Sequence, residues 1–210
     1  MQDVMALIAE KRIVPVVKLD NAQDALPLAE ALLAGGLPVA EITFRTDAAE
    51  EAIRLIRNTY PQMLCGAGTI VNAEQAKRAK DAGAAFFVSP GFSASVVNYA
   101  KEVGVPILPG CCTPTEIMMA MDAGLSIVKF FPAGQYGGLK TIKALAAPFP
   151  GIRFMPTGGV SAANLKEYLG EACVYACGGS WMVSDKLIQE KRFDEIRKLT
   201  EEAVALAAGR

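Results

Sequence analysis

The chain has 210 residues, 52% of them hydrophobic and 20% charged, with 21 Lys plus Arg against 22 Asp plus Glu. That supplies apolar material for one large core, and a net charge of -1 argues against nucleic acid or an anionic membrane as the main partner. The absence of histidine removes Ser-His and Cys-His nucleophile pairs, histidine-ligated metal sites and the commonest general base.

The opening MQDVMALIAEKR has neither a long apolar stretch nor a small-residue cleavage site, and residues 2–11 read as a short extra helix covering one end of the fold. Apolar runs such as residues 117–121 are far too short to cross a bilayer. Cys65, Cys111, Cys112, Cys173 and Cys177 form no C-x-x-C pair. An odd set without framework spacing is expected to be reduced thiols, which points to a cytoplasmic protein. Cys173 and Cys177 share a strand face and read as packing, and the lone Trp181 as core or subunit contact.

Eight strand-like runs begin near Ile13, Val39, Met63, Phe86, Val105, Ile127, Ile152 and Cys173, at intervals of roughly 23 residues. Stretches of helical composition separate them, for example residues 21–34 and 47–58. Asp20 or Asn21, Thr46 or Asp47, Asn72, Ser93, Thr113 and Ser161 stand where N-caps belong, and Gly35-Gly36, Gly83, Gly104 and Gly124 where helices stop. Strands alternating with helices imply parallel pairing, since each crossover needs about a dozen residues. With no edge-strand signature or linker, the expected fold is α/β, a single (β/α)8 barrel domain over residues 1–210. The alternative, an open doubly wound sheet, calls for a glycine-rich loop after strand one, and Lys18-Leu19-Asp20-Asn21 stands there.

Side chains alternate faces along a strand. In the second run Ala40, Ile42 and Phe44 share the face expected to meet helices, so Glu41, Thr43 and Arg45 point into the barrel or its mouth. In the sixth, Lys129 is flanked by Val128 and Phe130. One reading is a snorkelling or salt-bridged lysine, with Glu41 as its partner. The other is a nucleophile: burial and nearby Arg45 and Lys18 disfavour the ammonium, and a neutral amine can form a Schiff base with a ketone while Glu41 moves protons. The seventh run ends in Thr157-Gly158-Gly159 and the eighth in Gly178-Gly179-Ser180. Either glycine pair alone suits a tight turn. Together, after consecutive late strands, they suit a phosphate.

The segments Glu41-Ile42-Thr43-Phe44-Arg45, Gly66-Ala67-Gly68-Thr69, Val88-Ser89-Pro90-Gly91, Pro109-Gly110 with Thr113-Pro114-Thr115-Glu116, Lys129-Phe130-Phe131-Pro132-Ala133, Pro156-Thr157-Gly158-Gly159 and Gly178-Gly179-Ser180-Trp181 occur in that order. Together they resemble the bacterial 2-keto-3-deoxy-6-phosphogluconate (KDPG) and 4-hydroxy-2-oxoglutarate (KHG) aldolases over nearly the whole chain. The resemblance implies a class I aldolase without metal or other cofactor, with Lys129 as Schiff-base lysine and Glu41 as general acid/base. It further implies Arg45 and Thr69 at the keto-acid carboxylate, Pro90 and Phe131 lining the pocket, and Thr157, Gly158, Gly159, Gly179 and Ser180 at the sugar and phosphate end. The partners it implies are a phosphorylated 2-keto acid and pyruvate, in a homotrimer. Many relatives carry an acidic residue after the Phe-Pro-Ala segment, where this chain has Gly134-Gln135-Tyr136. The galactonate epimer of KDPG, KHG, a phosphosugar isomerase and a non-catalytic phosphometabolite binder remain as rival readings.

Overall fold

A computed structural model describes residues 3–209. The expected opening helix is α1 (Val4–Lys11), started by Asp3, whose carboxylate accepts from the Met5 and Ala6 amides; Gln2 lies outside the described residues. Its Leu7 and Ile8 are buried, which seats it on the core. The strands are β1 (Ile13–Val17), β2 (Val39–Thr43), β3 (Leu64–Gly68), β4 (Phe87–Val88), β5 (Ile107–Leu108), β6 (Ile127–Phe130), β7 (Arg153–Pro156) and β8 (Cys177–Gly179). Between and after them lie α2 (Ala25–Ala34), α3 (Ala48–Thr59), α4 (Ala73–Asp81), α5 (Ala94–Glu102), α6 (Pro114–Asp122), α7 (Gly138–Ala146), α8 (Leu165–Leu169), α9 (Asp185–Gln189) and α10 (Phe193–Ala207).

All pairing is parallel, but the strands form two ladders rather than one. A curled six-stranded sheet runs β5-β4-β3-β2-β1-β8, and β6 and β7 pair separately. Among the described residues the two ladders are joined by single bridges, Gly110 with Lys129 on one side and Phe154 with Val174 and Thr157 with Gly178 on the other. Prolines explain the shortness of β5: Pro106 and Pro109 bracket it and have no amide to donate, so two residues remain for the ladder. Pro106 also moves its start from the expected Val105 to Ile107. The eighth strand starts at Cys177 rather than near Cys173, because residues 173–176 lie against β7 instead. There the Phe154 amide donates to Cys173 O (2.7 Å) and the Tyr175 amide to Phe154 O (2.8 Å).

The expected caps divide into two groups. Asn72 accepts from the Gln75 amide, and Thr113 forms a reciprocal capping box with Glu116. Asn21 caps a 3₁₀ turn preceding α2. Asp47 and Ser93 occupy N-cap positions without a side-chain bond, and the Thr46 hydroxyl donates to Leu19 O. Ser161 opens a turn, with α8 following at Leu165. One continuous apolar cluster reaches from Leu7 to Ala207, with Phe86, Phe87, Phe130 and Phe154 fully buried. Among the described residues no helix is long and apolar enough to cross a membrane.

Candidate active site

Parallel strands put all their C-terminal ends on one rim, so residues at and just beyond those ends converge. They converge on a cavity of about 490 Å³. Glu41 and Thr43 reach it from β2 and Lys129 from β6, as strict alternation requires, since Ile42, Val128 and Phe130 fill the opposite faces and are buried. Arg45, Thr69, Pro90 and Phe131 line it from the segments just past β2, β3, β4 and β6. Thr157, Gly158 and Gly159 come from the end of β7, and Ser180 follows β8. Gly179 is not part of the wall. Its α-carbon turns to the Trp181 ring, which an added Cβ would meet at 2.1 Å, and Gly178 lines the cavity instead.

Lys129 is 5% exposed and Glu41 fully buried, with Lys129 Nζ 3.4 Å from Glu41 Oε1. That is longer than an ordinary N–H···O bond, so the ion pair leaves the amine free to face the cavity. The strand around Lys129 is fixed by its amide donating to Pro109 O (2.8 Å) and its carbonyl accepting from the Cys111 amide (2.9 Å). The Phe131 ring lies 5.2 Å from Nζ. Glu41 Oε2 and Thr157 Oγ1 are buried polar atoms without a hydrogen-bond partner among the described residues. Leaving such atoms unpaired is costly, and both belong to side chains of the cavity wall, ready for a ligand.

Two backbone features shape the wall. Glu41 folds across Gly68, where a Cβ would lie 2.0 Å from Oε1, so only glycine fits there. The next residue, Thr69, sits at φ 57°, a left-handed conformation that costs a non-glycine residue about 1 kcal/mol or more. Gly158 and Gly159 both have φ +84°. The loop after β6 is stitched to them, the Ala133 amide donating to Thr157 O and the Gly134 amide to Gly158 O, each at 2.9 Å.

Thr43 orients Arg45 on this wall. Its hydroxyl donates to Val17 O (2.9 Å) and accepts from Arg45 Nε (3.2 Å), which aims the guanidinium along the wall. A buried amine beside a buried carboxyl, with a cation nearby and glycine loops further along, can bond covalently to a ketone and move protons around it.

The sequence matches the family "KDPG and KHG aldolase" over residues 4–199. The chain belongs to this family. It is 47% identical over 203 residues to the 2-dehydro-3-deoxy-phosphogluconate aldolase of Haemophilus influenzae, covering 97% of this chain and 96% of that one. A KDPG aldolase structure from Legionella pneumophila, with pyruvate captured at low pH as a covalent carbinolamine intermediate, superposes with a TM-score of 0.92 at 37% identity, covering 96% of this chain and 98% of that one. The KDPG aldolase of Zymomonas mobilis with 3-phosphoglycerate superposes at 0.89 and 38% identity, covering 98% and 96%.

Sequence reasoning did not single out Val16, Val160 or Asp185, which also line the cavity, and it named Gly178 only as part of the late glycine pair. Alternation along β1 and β8 carries a signal for Val16 and Gly178. Asp185 carries none, because a 3₁₀ turn (Trp181–Val183) rather than a strand brings it to the rim.

Proposed function

We propose that this chain cleaves 2-keto-3-deoxy-6-phosphogluconate reversibly to pyruvate and D-glyceraldehyde 3-phosphate, with Lys129 as the Schiff-base nucleophile. The observation that carries this reading is the buried Lys129–Glu41 pair at 3.4 Å on the wall of the rim cavity. The amine adds to the C2 ketone to give a carbinolamine. Glu41 protonates the C2 hydroxyl, which leaves as water, and a protonated imine remains. Glu41, now a carboxylate, takes the C4 hydroxyl proton. The C4–O electrons become a carbonyl, and the C3–C4 bond breaks with its pair delocalised through C2 onto nitrogen. The proton on Glu41 then returns to C3, and water hydrolyses the imine to pyruvate and free amine. No step needs a metal or redox group.

Arg45 pairs with the substrate carboxylate, with Thr69 beside it, and this charge-assisted contact fixes C2 against the amine. Pro90 and Phe131 close the sides. Thr157, Gly158, Gly159, Gly178 and Ser180 take the hydroxylated and phosphorylated end, where glycine lets the backbone approach closely. The relatives' names and the neighbour with a covalent pyruvate adduct support the same assignment. KHG is the second substrate to weigh, because the family name includes it.

The eight strands are read as one closed (β/α)8 barrel forming a single domain, supported by the bridges at both seams. A homotrimer is supported by the exposed apolar face of α6, with Met118, Met119 and Met121, beside exposed Tyr136. A cytoplasmic setting is supported by five unpaired cysteines.

The test is mass spectrometry after treatment with pyruvate and borohydride. Reduction should add one pyruvate-derived group, located on Lys129, and Lys129→Ala should abolish the adduct. Undiminished trapping in that variant removes the assigned nucleophile.

A further inference from the structure

Asp185 stands on the same wall as Ser180, yet the proposed reaction gives it no task. Its side chain is about half exposed, and its ion-pair partner is Lys18, whose Nζ lies 3.9 Å from Oδ2. Lys18, one residue past β1, is held more closely elsewhere, 2.7 Å from Asp20 Oδ1 and 3.0 Å from Asp20 Oδ2. That bond holds the Asp20 carboxyl below the usual carboxylate range, with help from Gln189, which donates to Asp20 Oδ2 at 3.4 Å. The neighbouring Asp24 and Lys191 neutralise each other in a separate ion pair. Arg45, on the same wall, also acts on Asp20, so the cations and carboxylates here balance, and Asp185 is the carboxylate of the group that faces the cavity.

A carboxylate there acts in two opposed ways. It repels a terminal phosphate dianion, and as an acceptor-only group it can take hydrogen bonds from hydroxyls. We infer that Asp185 is a specificity-determining residue that lowers the preference for a phosphorylated tail and extends acceptance to 2-keto-4-hydroxy acids ending in a neutral polyol. The inference rests on the aldolase reading of the cavity. Lys18 has the opposite effect, since any share of its charge that reaches the tail favours phosphate.

The experiment compares kcat/KM for KDPG and for its unphosphorylated counterpart, at low and high salt, in the wild type, Asp185→Asn, Asp185→Glu and Lys18→Met. Asp185→Asn should raise the phosphorylated-to-unphosphorylated ratio about fivefold at low salt, and less at high salt, because the interaction is screened. Asp185→Glu keeps the charge and should stay near the wild-type ratio, and Lys18→Met should lower it. A ratio that Asp185→Asn leaves unchanged, or shifts equally at both salt concentrations, overturns the inference. Pyruvate trapping in the wild type separates the two claims. Trapping with an unmoved ratio defeats only the role of Asp185, whereas a wild type that traps nothing defeats the aldolase reading and this inference together.

Discussion

Gly68→Ala tests how closely the Glu41 carboxyl, to which we assign the proton transfers, is held. A Cβ at this position would lie 2.0 Å from Glu41 Oε1, 2.5 Å from Cγ and 2.6 Å from Cδ, where ordinary contact begins at 3.4 Å. The carboxylate must therefore withdraw by about 1.4 Å, and because Glu41 is fully buried it can do so only by changing rotamer or pushing its neighbours. Glu41 Oε1 stands 3.4 Å from Lys129 Nζ, and a shift of that size displaces the carboxyl from the place where the proposed proton transfers at C2, C3 and C4 are made. A misplacement of about 1 Å costs about 100-fold, and complete loss of acid–base catalysis about 10²–10⁴-fold. We expect kcat/KM to fall about 10²–10³-fold, equivalent to about 3–4 kcal/mol in the barrier. Overpacking should also cost about 1–3 kcal/mol of folding stability. Gly91→Ala is the control, since nothing lies within 4 Å of its added Cβ. Pyruvate release followed by a coupled dehydrogenase reads the activity, and thermal melting reads the fold. A Gly68→Ala enzyme within about twofold of wild type would show that Glu41 is not the group whose position limits the reaction.

Thr43→Val removes the bond to Val17 O and the acceptor that aims Arg45. KM for the keto acid should rise several-fold with kcat nearly unchanged, because the carboxylate contact serves ground and transition states alike; an unchanged KM would free Arg45 from that role. Ser180→Ala should weaken the phosphorylated substrate about tenfold more than unphosphorylated KHG, and equal losses would remove Ser180 from the phosphate end. Burial pushes the thiols of Cys65, Cys111 and Cys177 up to about 12, which leaves little thiolate at neutral pH. These three should label with a thiol reagent only as the protein unfolds, and rapid labelling of the native state would contradict their burial.

Much of the site was legible because it lies on strands. Alternation placed Glu41 and Thr43 on the inner face and set Lys129 on the face opposite Val128 and Phe130, and all three line the cavity. Residues beyond strand ends were less legible. Gly178 and Gly179 form one glycine pair, and in the structure Gly179 packs on Trp181 while Gly178 faces the cavity. The start of β8 was hidden for a different reason: residues 173–177 form one apolar run, whose first part bridges to β7 and whose end pairs with β1. Asp185 was hidden because its position depends on a short turn and a distant lysine, neither of which leaves a periodic trace.

The pair of backbone hydrogen bonds that stitches residues 133 and 134 to residues 157 and 158 couples two tasks that an engineer would wish to treat separately. Grafting a new loop after β7 would also tug on the segment that follows Lys129. Redesign of the acceptor end is therefore best confined to the stretch after β8, which carries no such tether to Lys129 among the described residues.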